Sequence, residues 1–307
     1  MTADEALATE VIDAIAFVDA PFPTRALHAK GTLCTATFTP SSTARDLSRA
    51  SHFAGPPVPA HVRFSNGGSN PDGADNAPRE GRGMAVKFNL ADGAKTDIVA
   101  VTLPAFFVRT PEDFLQFVRA RTPDPDTGEP DPERIGAFVG DHPEALTALM
   151  AVVGGEPPTS YLQCRYNALH TYVLIASDGA RQPVRYHLVP DAGVHTVAAE
   201  DYPNLDSHYL RDDLHDQLAA GPGSFTLLAT LAADGDPLDD PTAVWPDDRR
   251  QVELGHLELT GLAFDREIDG DILVFDPTRV TDGIELSDDP ILRFRAAAYA
   301  ESVRRRM

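Results

Sequence analysis

Cysteine is nearly absent: Cys34 and Cys164 are the two in 307 residues. Their spacing matches neither a CxxC zinc motif nor a paired disulfide framework. Lysine is scarce too, confined to Lys30, Lys87 and Lys95. No apolar stretch approaches the length of a membrane-spanning helix, and Met1-Thr2-Ala3-Asp4-Glu5-Ala6 is not a basic segment followed by an apolar core. Acids outnumber bases 47 to 26, for a formal net charge of -21. A nucleic acid or an anionic membrane partner would need a basic face, so both are excluded. Together these absences predict a soluble, cytoplasmic protein held by neither disulfides nor zinc.

What is present suffices for a full core, with 42% apolar and 24% charged residues, near the averages for globular chains. No flexible linker or internal repeat divides the chain, which predicts one domain over 1–307, with a leading helix and arm in 1–24 and a core over 25–299. Residues 3–18 have helical apolar spacing, ended by Pro21-Phe22-Pro23. Strand patterns occur at 28–38, 61–66, 84–89, 97–103, 169–176, 184–189, 224–231, 252–260 and 271–275. In the first of them, alternation places His28 on the face of Cys34, Ala36 and Phe38. Helical patterns fall at 111–120, 143–153 and 206–219, and the Pro/Asp-rich stretch 121–133 reads as an exposed loop. A last helix spans 287–306, with Ser287 as N-cap, Asp288 and Asp289 in the first turn, and Arg304, Arg305 and Arg306 as a solvated end. The fold class is α+β, and this many strands point to a closed antiparallel barrel.

Two runs carry chemistry. Arg25-Ala26-Leu27-His28-Ala29-Lys30-Gly31 offers an imidazole among bases, and Arg295 precedes Tyr299 by four residues, which puts both on one helix face. A nearby cation favours the ionised phenol, the form that ligates a metal. Taken singly, His28 reads as a hydrogen-bonded core histidine and Tyr299 as an inward-packing helix residue. The remaining histidines match no metal-ligand spacing.

In combination the residues say more. The His28 run is followed by Val62-Arg63-Phe64-Ser65, by Arg82-Gly83-Met84-Ala85-Val86-Lys87-Phe88, and by the segment from Asp97 through Thr102-Leu103-Pro104-Ala105-Phe106-Phe107 to Arg109. Asp240-Pro241-Thr242-Ala243-Val244-Trp245-Pro246 and Arg295-x-x-x-Tyr299 complete the series. In order and content these blocks resemble the haem catalases, over roughly Arg25 to Tyr299. The chain stops eight residues after Tyr299, which is similar to the short catalase-related peroxidase branch.

The resemblance implies an eight-stranded antiparallel barrel with surrounding helices and a haem b (heme b) cofactor with ferric iron. Tyr299 would be the proximal iron ligand, held by Arg295 and backed by His170 and Asp289. Six residues separate Asp289 from Arg295, the wrong face for a direct pair, so His170 would bridge them. His28 would be the distal general base and acid, oriented by Ser65. Arg25, Arg63 and Arg295 would anchor propionates or flank the ligand, and Phe106, Phe107, Phe114 and Phe117 would wall the cavity. Thr102 stands where large catalases carry an asparagine, which implies poor positioning of a second hydrogen peroxide. The implied activity is reduction of hydrogen peroxide or organic hydroperoxides by small organic electron donors, with weak catalase activity. The alternatives are a fatty-acid hydroperoxide isomerase or dehydratase, similar to allene oxide synthase, and a non-catalytic haem-binding protein. A homodimer is the expected assembly.

Overall fold

The computed structural model describes residues 2–16, 24–77, 80–124, 130–198, 200–265 and 272–307. Along them run α1 (Ala3–Ala16), β1 (Gly31–Pro40), α2 (Ser42–Leu47), α3 (Ser51–Ala54), β2 (Val58–Asn66), β3 (Arg82–Asn89), β4 (Lys95–Val101), α4 (Pro111–Arg121), α5 (Pro132–Asp141), α6 (Leu146–Gly154), β5 (Tyr166–Asn167), β6 (Tyr172–Ile175), β7 (Arg181–Pro190), α7 (Tyr209–Ala220), β8 (Gly223–Leu231), β9 (Gln251–Ala263), β10 (Ile284–Leu286) and α8 (Pro290–Arg304).

Strands β8, β9, β1, β2, β3, β4, β5 and β7 pair in that order, and β7 pairs back onto β8. This closes an eight-stranded antiparallel barrel, removing the open edges that a flat sheet would expose. β6 and β10 extend from β7 as a flap. The barrel is filled by alternate residues of its strands, among them Cys34, Ala36, Phe38, Val62, Phe64, Val86, Phe225, Leu257 and Leu259. Each of the valine, leucine and phenylalanine side chains among them contributes about 1.5–3 kcal/mol through burial.

β2 shows how the wall creates a site. Phe64 joins the inner core, while its neighbours Arg63 and Ser65, also buried, face the opposite side. That outer face is covered by helices: Val11, Ile12 and Ile15 of α1 pack with Leu115 of α4 and Phe294 of α8. A cavity of about 250 Å³ lies between wall and helices. One further side of it, Val274 and Phe275, belongs to a loop pinned by the buried Lys87–Asp97 pair (2.5 Å). Asp97 also accepts from the Asp276 backbone N–H and from Arg279, tying the loop to β3 and β4.

Several boundaries differ from the sequence expectation. The first strand begins at Gly31, and His28 lies outside it. The 287–306 helix starts at Pro290, because Asp289 rather than Ser287 is its N-cap, accepting from the Ile291 and Leu292 amides. The short β5 and β10 and helices α2 and α3 carry too few periodic residues to stand out in the sequence; α5 has a periodic face of Ile135, Phe138 and Val139 that the sequence reading passed over. Asp271 and Pro21-Phe22-Pro23 lie outside the described residues, and 272–275 form no strand.

Candidate active site

His28 sits in a bend before β1 with φ of 55°, the left-handed region that a non-glycine residue enters only when its surroundings enforce it. The enforcement is visible. Arg63 donates to the carbonyls of His28 (2.8 Å) and Ala29 (3.0 Å), and the His28 and Ala29 amides donate to Gly67 and Gly68. Ser65 Oγ meets His28 Nδ1 at 3.0 Å. A Cβ on Gly83 would lie 2.7 Å from His28 Nδ1 and 2.8 Å from Ser65 Oγ, so glycine is needed there to admit the imidazole. Burial and the charges of Arg63 and Arg295 push the His28 imidazole down to about 4. At neutral pH it is a free base facing the cavity.

On α8, Arg295 donates from Nε (3.1 Å) and from a terminal nitrogen to the Tyr299 oxygen. Its other terminal nitrogen donates to His170 Nε2 at 3.1 Å. His170 Nδ1 donates to Asp289 Oδ2 at 2.6 Å, both groups being buried. Burial, against the pull of Asp289, lowers the His170 imidazole below its ordinary range, consistent with a neutral ring that accepts from Arg295 and donates to Asp289. A cationic fork therefore meets the phenol oxygen, a charge-assisted contact.

Arg25, Arg63 and Arg306 gather at another end of the cavity around Asp265, which lies 2.5 Å from Arg63 Nε and 3.3 Å from Arg25. Burial and the neighbouring Arg63 push the Arg25 guanidinium down to about 9. Clustered, buried guanidinium groups are suited to carboxylate partners.

His28, Ser65, Arg25, Arg63, Arg295 and Tyr299 all line this one cavity, as do Phe106 and Phe114. His170 stands behind Arg295. Phe107 does not line it: its ring stacks on Phe117 at 4.5 Å in the layer beyond Phe106. Thr102 does not reach it either. Its hydroxyl accepts from the Arg82 amide, and it lines a second cavity, with Val101 facing His28's side instead. Arg306, read from sequence as part of a solvated helix end, is buried in the site. The signal for it was the spacing 295, 299, 302, 306, a single helix face. Asn167, on the short strand β5, was likewise missed.

The chain and its fold have counterparts among known proteins. The family model described as Catalase matches residues 8–307. A catalase-related peroxidase of Mycolicibacterium paratuberculosis is 43% identical over 97% of this chain and 94% of its own. A second, from Synechococcus elongatus, is 33% identical over 91% and 82%. Among solved structures, a fungal catalase superposes with a TM-score of 0.83 at 26% identity, covering 94% of this chain and 60% of its own. Catalase A of Saccharomyces cerevisiae gives 0.84 at 24% identity, a likeness of fold, again with about three-fifths of that longer chain (62%) covered. The chain belongs to the catalase family.

Proposed function

We propose that the chain is a haem-dependent peroxidase that reduces hydrogen peroxide or organic hydroperoxides with small organic electron donors and disproportionates hydrogen peroxide weakly. The observation that carries this reading is that one cavity joins a neutral distal base, His28, to a phenol oxygen, Tyr299, gripped by a guanidinium. The relatives of 43% and 33% identity bear the name peroxidase, and neither lends support to an isomerase or a non-catalytic haem carrier.

The residues fit a haem b with ferric iron. Tyr299 would supply the oxygen ligand to the iron, of the kind known for catalase. Arg25, Arg63 and Arg306 suit the two propionates, and Val11, Ile12, Val99, Phe106, Phe275 and Phe294 supply apolar walls. Bound there, the haem supplies the redox-active iron at which a peroxide O–O bond is cleaved.

The protein's part is protonic and positional. His28 Nε2 takes the proton from one peroxide oxygen and returns it to the departing one, a contribution of roughly two to four orders of magnitude in rate. Ser65 holds the ring's other edge, and Arg63 holds its backbone. Arg295, backed by His170 and Asp289, holds the Tyr299 oxygen in place. Val101 places an apolar side chain beside the Gly83 rung where an amide would be needed to hold a second hydrogen peroxide, so donor oxidation outpaces oxygen release. Thr102, turned away from the base, acts only through Arg82 and the strand end.

The test is direct. The purified holoprotein should show a ferric tyrosinate-type absorption spectrum and oxidise a phenolic donor faster than it evolves oxygen. Absence of haem uptake, or oxygen evolution at rates of large catalases, overturns the reading. A single haem-binding domain, a homodimer and a cytoplasmic location belong to the same proposal; among the described residues no helix is long and apolar enough to cross a membrane.

A further inference from the structure

A single rung of the barrel runs through Gly31, Ser65, Gly83, Val101, Asn167 and His187. Ser65, Gly83, Val101 and Asn167 all line the cavity, and Asn167 brings an amide to this rung. Its orientation is fixed by its neighbours. Arg165 Nε and His187 Nδ1 reach Oδ1 at 3.3 and 2.8 Å, while Nδ2 donates to the Leu103 carbonyl at 3.0 Å.

Since Arg165 can only donate, Oδ1 is the acceptor and the His187 proton sits on Nδ1. His187 Nε2 then accepts from the Thr230 hydroxyl at 2.8 Å, and Thr230 accepts from the exposed Gln251 amide at 3.1 Å. Donors thus point inward in sequence from Gln251 to Asn167. The Asn167 nitrogen carries two hydrogens; one goes to Leu103, and the other has no protein acceptor among the described residues.

The geometry points to Asn167 as a substrate-contacting residue that donates to an acceptor oxygen on the organic part of a hydroperoxide, with His187 as the positioning residue that fixes its amide. This inference rests on the peroxidase reading. His28 packs against Gly83, and Asn167 lies two strands further round, roughly 9–10 Å along the sheet. A peroxide of two oxygens held under His28 does not extend that far. A hydroperoxide whose alkyl or aryl body crosses Val101 and ends in a carbonyl or ester oxygen does. The apolar surface between the two polar points, Val99, Val101, Phe106 and Leu169, suits such a body.

The experiment compares cumene hydroperoxide with its para-methoxycarbonyl analogue as substrates, and the two corresponding unreactive alcohols by calorimetric titration of the holoenzyme. The wild type should bind the ester alcohol ~5-fold more tightly and show a KM ~5-fold lower for the ester hydroperoxide with kcat unchanged, the effect of one neutral hydrogen bond. Asn167→Leu should abolish this advantage, so that within the variant the two hydroperoxides share one KM and the two alcohols one affinity. Asn167→Asp, which removes the donor at constant size, serves the same comparison should the leucine variant fail to fold. His187→Phe should shrink the advantage and His187→Gln, which retains an N–H donor, restore it. Equal binding of the two alcohols by the wild type, or an undiminished preference in the Asn167 variants, overturns the inference while cumene hydroperoxide turnover leaves the peroxidase reading standing. Preferential binding without any turnover overturns the peroxidase reading alone.

Discussion

Asp289 and Arg295 do not touch: the His170 ring stands between them, donating to the carboxylate at 2.6 Å and accepting from the guanidinium at 3.1 Å. A helix start and a mid-helix cation are thus joined through a residue from the loop between β5 and β6.

Replacing His170 with Leu therefore strands a buried carboxylate and loosens the Arg295 fork. Thermal or denaturant unfolding should report a loss of about 2 kcal/mol, and the ferric absorption band of the holoprotein should shift. Asp289→Asn, which keeps the cap on α8, should cost less.

The pH profile follows from the depressed His28 imidazole. Below about 4 the ring is protonated and cannot take the peroxide proton, so kcat/KM should be level through neutrality and fall on the acid side near that value. His28→Asn should lower the rate by roughly two to four orders of magnitude. A flat acid limb, or an active asparagine variant, contradicts the assigned role.

Val101 and Thr102 provide a paired test of which side chain faces the base. Val101→Asn should raise oxygen evolution from hydrogen peroxide relative to donor oxidation, by about one hydrogen bond's worth, ~5-fold or more. Thr102→Asn should leave that ratio unchanged.

His52 offers a stability test remote from the cavity. It is buried among Phe38, Phe53 and Phe88, its Nδ1 lacks a partner, and burial pushes its imidazole down to about 3. As pH falls from about 6.5 the unfolded chain takes up the proton first, so stability should drop at up to about 1.4 kcal/mol per pH unit until both states are protonated near 3. His52→Phe should remove this local contribution and stabilise the fold by about 1 kcal/mol at neutral pH, as read from denaturation midpoints across pH.

The barrel was legible because it rests on local signals, strand alternation and turn residues, and the four-residue step put Arg295 and Tyr299 on one helix face; His28 stood out only through the resemblance of its run to the haem catalases. Depth was not. Alternation says that Val101 and Thr102 point oppositely, but only the pairing of Val101 with Gly83 and Asn167 says which of them shares a face with His28. The two-residue strand holding Asn167 has no period to read, and Arg306 resembles the adjacent Arg304 and Arg305 until α1 is seen packed along α8. Phe107 and Phe106 are adjacent in sequence yet fall in successive layers, a distinction that only packing makes.

One guanidinium has a dual allegiance. Arg63 grips the carbonyls of His28 and Ala29 with its terminal nitrogens while its Nε holds Asp265. The His28 bend and the Asp265 end of the pocket are consequently tied to one side chain: a lysine, with one compact ammonium in place of a planar fork, could serve either duty but not both.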